Sequence, residues 1–394
     1  MLITGVIMKS KFLQIFKKIK KIMHSSSIRV KDQRKVLLFC ICGLICIYLF
    51  LTIVPFVFSV VVGHRIEVSE NEVVTDTSSS GDLHTYKNQL LLFDSNGMQF
   101  YGYDGNYKNT LYFDAYEPYI RVKDDIIAVA DTNGKNATVI KNNKTRYTVK
   151  TPENIQLISV NNNLYSVAIT SEKGYKSLVK VYNHKGENIY EWHIGEYYAV
   201  DAYVTDNNKY LAVLGVGIDE NKINSHVVFI NLKEEKVHSE FGIENELAYK
   251  FTLHNNDAYV ITDKGIYRVS ASGKLKQKYS FSGKELLGFD IDECDNISIA
   301  LNDNNSQSTV TVLNKRLKSK SECNIPIQVT MFDSVGEKVV AAGQNEVFVT
   351  NNGRIYAKGV FSKEAERVVL SGNGKNIATS GGNSICIYNI RMGR

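Results

Sequence analysis

Two different hydrophobic patterns divide this chain. The first is an unbroken run from Val36 to Val62, VLLFCICGLICIYLFLTIVPFVFSVVV, 27 residues without a charge. It exceeds the roughly 20 apolar residues that a bilayer core requires, so it predicts one transmembrane helix, tilted or kinked at Pro55. The h-region of a cleaved signal peptide is shorter, about 7 to 15 residues, and the run is therefore expected to be a retained signal anchor. The second pattern starts near residue 82 and continues to Arg394: short β-branched and aromatic runs alternate with clusters of Asn, Asp and Gly. That is the signal for short antiparallel strands.

The second pattern repeats. One apolar run recurs as LLLF at Leu90, IIAVA at Ile126, LYSVAI at Leu164, YLAVLG at Tyr210, AYVIT at Ala258, ISIAL at Ile297, KVVAAG at Lys338 and IATSGG at Ile377. Successive starts lie 36 to 48 residues apart. A second marker, a strand followed by a polar turn, keeps step with it, from YGYDGN at Tyr101 to ICIYNIR at Ile385. The second unit displays the layout of four strands, Tyr119 to Lys123, Ile126 to Asp131, Asn136 to Lys141 and Thr145 to Lys150. A period near 40 to 45 residues with four strands per unit predicts an all-β fold, a β-propeller. The expected number of four-stranded blades is about eight, or seven if residues 82 to 113 act partly as a clasp.

The last unit is incomplete, because only Arg391 to Arg394 follow ICIYNI. An open sheet edge invites pairing with another chain, and the alternating Ile66, Val68 and Val73 are the natural donor of a closing strand. The expected organisation is a basic tail (1–35), a transmembrane helix (36–62), a Ser/Thr-rich stalk with the closing strand (63–81) and the propeller (82–394).

Charge sets the orientation. Residues 1–35 carry ten Lys/Arg and one acid, Asp32, for +9, which leaves 37 basic against 40 acidic residues, −3, in the remainder. Positive residues stay inside, so the N-terminus is expected in the cytoplasm and everything beyond Gly63 outside. Within the tail, Phe12, Ile15, Phe16, Ile19, Ile22 and Met23 recur at helical spacing among lysines, a pattern that fits a membrane-surface helix or a solvated charge run. A nearly neutral outer domain lacks the basic footprint of a phosphate-backbone binder, which excludes nucleic acid as a partner. Cysteine adds little. Cys40, Cys42 and Cys46 fall in the apolar run, and Cys294, Cys323 and Cys386 form no disulfide framework; so few cysteines in an exported domain suit a bacterial envelope.

Several units, especially VVLSGNGKNIATSGGNSICIYNI at Val368 to Ile390 and VDAYVTDNNKYLAVLGVG at Val200 to Gly217, resemble WD40 repeats without the Trp-Asp ending; Trp192 is the only Trp. The whole layout resembles domain-of-unknown-function family 5711, single-pass membrane proteins of Gram-positive bacteria with a WD40-like propeller ectodomain. The resemblance rests on architecture and texture, and it implies no activity and no site residues.

Motifs for chemistry are missing. The eight His are scattered, GVGIDE at Gly215 to Glu220 lacks the third Gly of a phosphate loop, and SLVK at Ser177 to Lys180 would point its Ser and Lys to opposite faces of a strand. No catalytic residue and no cofactor is assigned. The one metal candidate is weak: Asp290, Asp292 and Asp295 in FDIDECDN have the spacing of an incomplete calcium loop, with Cys294 in a ligand position and no distal Glu. The alternative is that Asp290 and Asp292 share a strand face and cap an inter-blade turn. Asp104-Gly105, Asn133-Gly134 and Asn352-Gly353 read as hairpin turns.

The expected function is that of a membrane-tethered extracytoplasmic binding or scaffold module for an envelope protein or a glycan, not an enzyme. Two alternatives stand beside it. One is a propeller enzyme, a hydrolase or quinone-type dehydrogenase with a site drawn from several blades; the other is a transmembrane signalling link.

Overall fold

The computed structural model describes residues 63–68, 73–74 and 82–392, apart from positions 95–96, 114, 116, 220, 293–295, 305 and 382–383. The predicted tail and transmembrane helix lie outside the described residues, as does most of the stalk. Among the described residues all regular structure is strand, and no helix is long and apolar enough to cross a membrane.

Strands β1 (His64–Val68) and β2 (Val73–Val74) precede a train of four-stranded meanders. The first meander is β3 (Asp82–Tyr86), β4 (Gln89–Asp94), β5 (Gly97–Tyr101) and β6 (Tyr107–Tyr112), and the second is β7 (Pro118–Lys123), β8 (Ile126–Asp131), β9 (Asn136–Lys141) and β10 (Lys144–Lys150). Then come β11 (Ile155–Val160), β12 (Ser166–Thr170), β13 (Ser177–Tyr182) and β14 (Asn188–Ile194). The fourth has the longest strands: β15 (Tyr198–Val204), β16 (Tyr210–Asp219), β17 (Lys222–Asn231) and β18 (Lys236–Glu244). β19 (Ala248–His254), β20 (Asp257–Thr262), β21 (Gly265–Val269) and β22 (Leu275–Ser280) form the fifth, and β23 (Leu286–Ile291), β24 (Ile297–Asn304), β25 (Gln307–Leu313) and β26 (Ser319–Ile325) the sixth.

The expected count of about eight, or seven, separate four-stranded blades is corrected here. Six sheets have four strands and one has nine. The large sheet contains β27 (Met331–Val335), β28 (Lys338–Ala342), β29 (Glu346–Asn351), β30 (Arg354–Val360), β31 (Arg367–Leu370), β32 (Asn376–Gly381) and β33 (Ser384–Met392) together with β1 and β2. The cause is β1. It pairs antiparallel with β33, placing Ile66 opposite Ile390, and its first two residues also pair parallel with β30, His64 opposite Ala357 and Arg65 opposite Lys358. One strand thereby joins two groups of strands that would otherwise be separate.

Burial explains why the meanders pack as they do. The second and third strands carry nearly continuous apolar runs, as in IIAVA of β8, because both of their faces are covered. The fourth strands alternate, as in the exposed and buried positions of β10, because one face meets solvent. Each hydrophobic cluster lies between two successive meanders. The last of them sets Leu83, Leu90 and Leu92 against Val369, Ala378, Ile385 and Ile387, so the end of the chain packs on the first meander and the sheets close into a ring. Turns supply the remaining instructions. Lys87-Asn88, Asn142-Asn143, Asn255-Asn256 and Asn352-Gly353 are two-residue connections with both φ angles positive, the conformation that matches strand twist and for which Asn and Gly are best suited.

Candidate functional site

The first strand of each four-stranded meander, β3, β7, β11, β15, β19 and β23, and the two end strands of the nine-stranded sheet, β27 and β31, contribute residues to the wall of one central channel, whose cavity measures about 770 Å³. Its rim carries Lys87, Asn88, Lys123, Asp124, Asp206 and Asn255. These positions lie at the turns from first to second strand, the same end of the sheets at which β1 begins opposite Met392.

A charged cluster drawn from three first strands borders the channel through Arg121 and Lys250. Arg121 of β7 reaches Asp201 of β15, Nη2 to Oδ2 3.1 Å, with side chains only 11% and 2% exposed. Its Nε donates to the Tyr119 hydroxyl at 2.7 Å, and the rings of Tyr119 and Tyr203 flank the guanidinium at 5.6 and 5.3 Å from their centroids. Burial opposes the charge on Arg121, but Asp201 and Tyr119 more than offset it and its pKa is raised. Lys250 of β19 approaches the same carboxylate, 4.0 Å from Oδ2. Burial, then repulsion from Arg121, pushes the Lys250 amine down to about 8, with Asp201 resisting.

The wall beyond Lys250 is acidic. Asp290 of β23 accepts from the Ser334 amide and hydroxyl at 3.0 and 2.7 Å, and Asp333 of β27 accepts from the Leu370 amide at 2.5 Å. Each carboxyl reaches channel space but is otherwise surrounded by protein. Burial therefore raises both above the usual carboxylate range, and Asp333 rises further because it faces Asp290. These contacts belong to a wider system in which one inner strand bonds to the next: Ser159 donates to the Ala202 carbonyl, Asn161 Nδ2 to the Thr205 carbonyl at 3.1 Å, and Thr85 to the Leu370 carbonyl at 3.0 Å.

Of the calcium candidate, Asp290 and Asp292 both line the channel and accept backbone amides of the next meander; Asp292 takes the Gly336 amide at 2.6 Å and both Asn296 donors. Asp295 and Cys294 lie outside the described residues. Among the described residues, no three His, Cys, Asp or Glu side chains are placed to hold a metal ion. Cys323 and Cys386 are free and buried. Ser177 of SLVK accepts the Ala199 amide, whereas Lys180 pairs with Glu191 at 2.6 Å, so the two serve separate structural contacts. Gly215 of GVGIDE sits where a Cβ would collide with the Tyr197 ring, a packing role.

Sequence reasoning missed Arg121, Asp201, Lys250 and Asp333. They come from four different meanders and leave no linear motif. A signal existed all the same: each is a charge at an interior position of a largely apolar first strand, in PYIRVK, YAVDAYV, AYKFTLH and MFDSV.

A closed ring of meanders around a channel lined by first strands defines a WD40-like β-propeller. The C-terminal WD40 domain of Sif2 superposes with a TM-score of 0.56 at 9% identity, covering 84% of this chain and 97% of that one. BamB from Moraxella catarrhalis gives 0.50 at 10% identity over 82% and 97%. At such identities the likeness is one of fold. The chain belongs to the family of unknown function DUF5711, which matches residues 62–389. No curated protein matches it.

Proposed function

We propose that this is a single-pass membrane protein whose N-terminus is cytoplasmic and whose propeller, outside the cell, is a binding or scaffold module for an envelope protein or a glycan. The channel carries the proposal. Its charged side chains are held by neighbouring strands before any ligand arrives, and such preorganisation lowers the entropic cost of binding. The opposite rim adds amphipathic contact surface, with Tyr175, Tyr198, Ile218, Ile223 and Tyr249 each between 43% and 73% exposed.

Two measurements test it in intact cells. A membrane-impermeant amine reagent should label Lys209 and Lys233 without permeabilisation, and a photo-cross-linker in place of Tyr198 or Lys209 should trap an envelope protein or glycan. Labelling that requires permeabilisation would overturn the topology; no adduct from either position would overturn the binding role.

One observation favours a second reading, a propeller hydrolase. Asp290 and Asp333 converge on the channel with raised pKa values, which is the condition for a carboxyl group to act as a general acid near neutrality. Hydrolysis of aryl glycosides or esters by the full chain, lost in Asp333→Asn, would support it. Equal rates in both proteins would dismiss it.

A further inference from the structure

Resting on the reading of the channel as a binding site, we propose that its occupant is anionic: an oxyanion, carboxylate or phosphate, seated between Arg121 and Lys250. The local charges call for it. Two cations share one carboxylate, Asp201. Arg121 commits Nε to Tyr119 and Nη2 to Asp201, while its Nη1 is buried with no hydrogen-bond partner. A guanidinium offers five N–H donors, and leaving them unmet away from water is costly. Lys250 Nζ, at 4.0 Å from Asp201, is beyond hydrogen-bond distance of it.

Other groups in the channel do not fill this deficit. Lys123 is matched by Asp206 at the rim, 3.7 Å away. Asp292 spends its oxygens on Asn296 and Gly336. Asp290 and Asp333 are tied to backbone amides, and their raised pKa values reduce the negative charge they bring to the opposite wall. The Tyr119 and Tyr203 rings meanwhile wall the guanidinium from bulk water, where a charge-assisted hydrogen bond is stronger than in solution. An oxyanion accepting from Arg121 and Lys250 would complete the cluster.

The test uses the full chain in detergent at pH 7, titrated calorimetrically with inorganic phosphate and with acetate against chloride at equal ionic strength. Saturable binding of either anion is expected, with chloride inert. Lys250→Met should weaken it by about tenfold or more, the effect of losing one hydrogen bond to a charged group, and Lys250→Arg should retain it. Binding no better than chloride, or undiminished in Lys250→Met, would overturn the proposal. Should Lys250→Met fail to fold, the wild-type chain still decides the matter, because bound phosphate must slow acylation of Lys250 several-fold and an unchanged rate rejects the site. Reconstitution in phosphatidylglycerol or phosphatidylcholine vesicles without free phosphate separates the sources: protection by the former alone assigns a lipid headgroup, and protection by free phosphate alone a soluble anion. Failure here leaves cross-linking from Tyr198 untouched, so the binding role is judged separately.

Discussion

Ile66 lies opposite Ile390, the pairing through which a strand from the start of the described chain joins the nine-stranded sheet formed with its last seven strands. Its side chain is 8% exposed and packs with Val340, Val349, Ala357, Leu370 and Tyr388. Ring closure therefore depends on a residue outside the repeating units. Ile66→Ala should cost about 2–4 kcal/mol, the range for truncating a buried aliphatic side chain. Chemical denaturation of the full chain measures it, and a cost under about 0.5 kcal/mol would show that β1 is dispensable for closure.

The turn at Asn352-Gly353 offers a backbone test. Gly353 has φ of +72°, and a Cβ there would sit 3.0 Å from the Glu322 carbonyl oxygen of the neighbouring sheet. Gly353→Ala should destabilise by about 1–2 kcal/mol, combining left-handed strain with the close contact. Gly336, also left-handed at +65° but with no atom near its missing Cβ, isolates the strain component.

Asp201 holds two cations while itself only 2% exposed. Asp201→Asn preserves shape but leaves Arg121 buried without its counter-charge, a loss of about 3–5 kcal/mol for breaking a buried pair. Replacing Arg121 by Met as well should recover part of that loss. A double-mutant cycle measures the recovery, and strictly additive effects would mean the pair is energetically uncoupled.

Much of the ring was legible because its determinants are local. The apolar runs at Ile126, Ile297 and Ile377 are the second strands of their meanders, and Asn352-Gly353 forms a two-residue turn with both φ angles positive. The nine-stranded sheet was not legible, because the parallel pairing of His64 and Arg65 with Ala357 and Lys358 joins residues nearly 300 positions apart and depends on ring closure, not on any local period. The channel cluster stayed hidden for a related reason. Arg121, Asp201 and Lys250 meet, and Asp333 faces the same channel, only because the first strands line a common cavity. A charge inside a largely apolar strand says that a partner exists, but not which strand brings it.

The carboxyl groups of Asp290 and Asp333 predict an unusual stability profile. Both have folded-state pKa values above the unfolded value near 3.8, chiefly through burial. The folded chain thus binds more protons than the unfolded chain above that pH. Their contribution is favourable in acid and is lost as pH rises through the folded-state values. Asp333→Asn keeps an acceptor for the Leu370 amide and removes the titration, so it should raise the melting temperature at pH 7.5 but have little effect near pH 4. A variant less stable than wild type at pH 7.5 would mean that the ionised carboxylate is favoured in the channel.

Lys250 predicts reactivity as well as stability. With its pKa near 8, about half of its amines are unprotonated at pH 8, against under about 1% for a lysine at its ordinary value near 10.4. Only the unprotonated amine attacks an acylating reagent. Limiting reagent at pH 8 should therefore modify Lys250 ahead of more exposed lysines such as Lys276 and Lys284, by about tenfold or more once its lower intrinsic basicity is counted. Stability follows the same proton with the opposite sign to the aspartates. Between about pH 8 and 10.5 the unfolded chain holds the proton that folded Lys250 has released, so Lys250 penalises folding below pH 8 and the penalty fades as pH rises across that window. Lys250→Met should accordingly gain most over wild type at pH 7 and least near pH 10.5. Peptide mapping by mass spectrometry reads the first effect and thermal melts the second. Acylation of Lys250 no faster than that of Lys276, with a stability difference that does not change with pH, would place the amine in the ordinary lysine range and leave the channel with two full positive charges against Asp201.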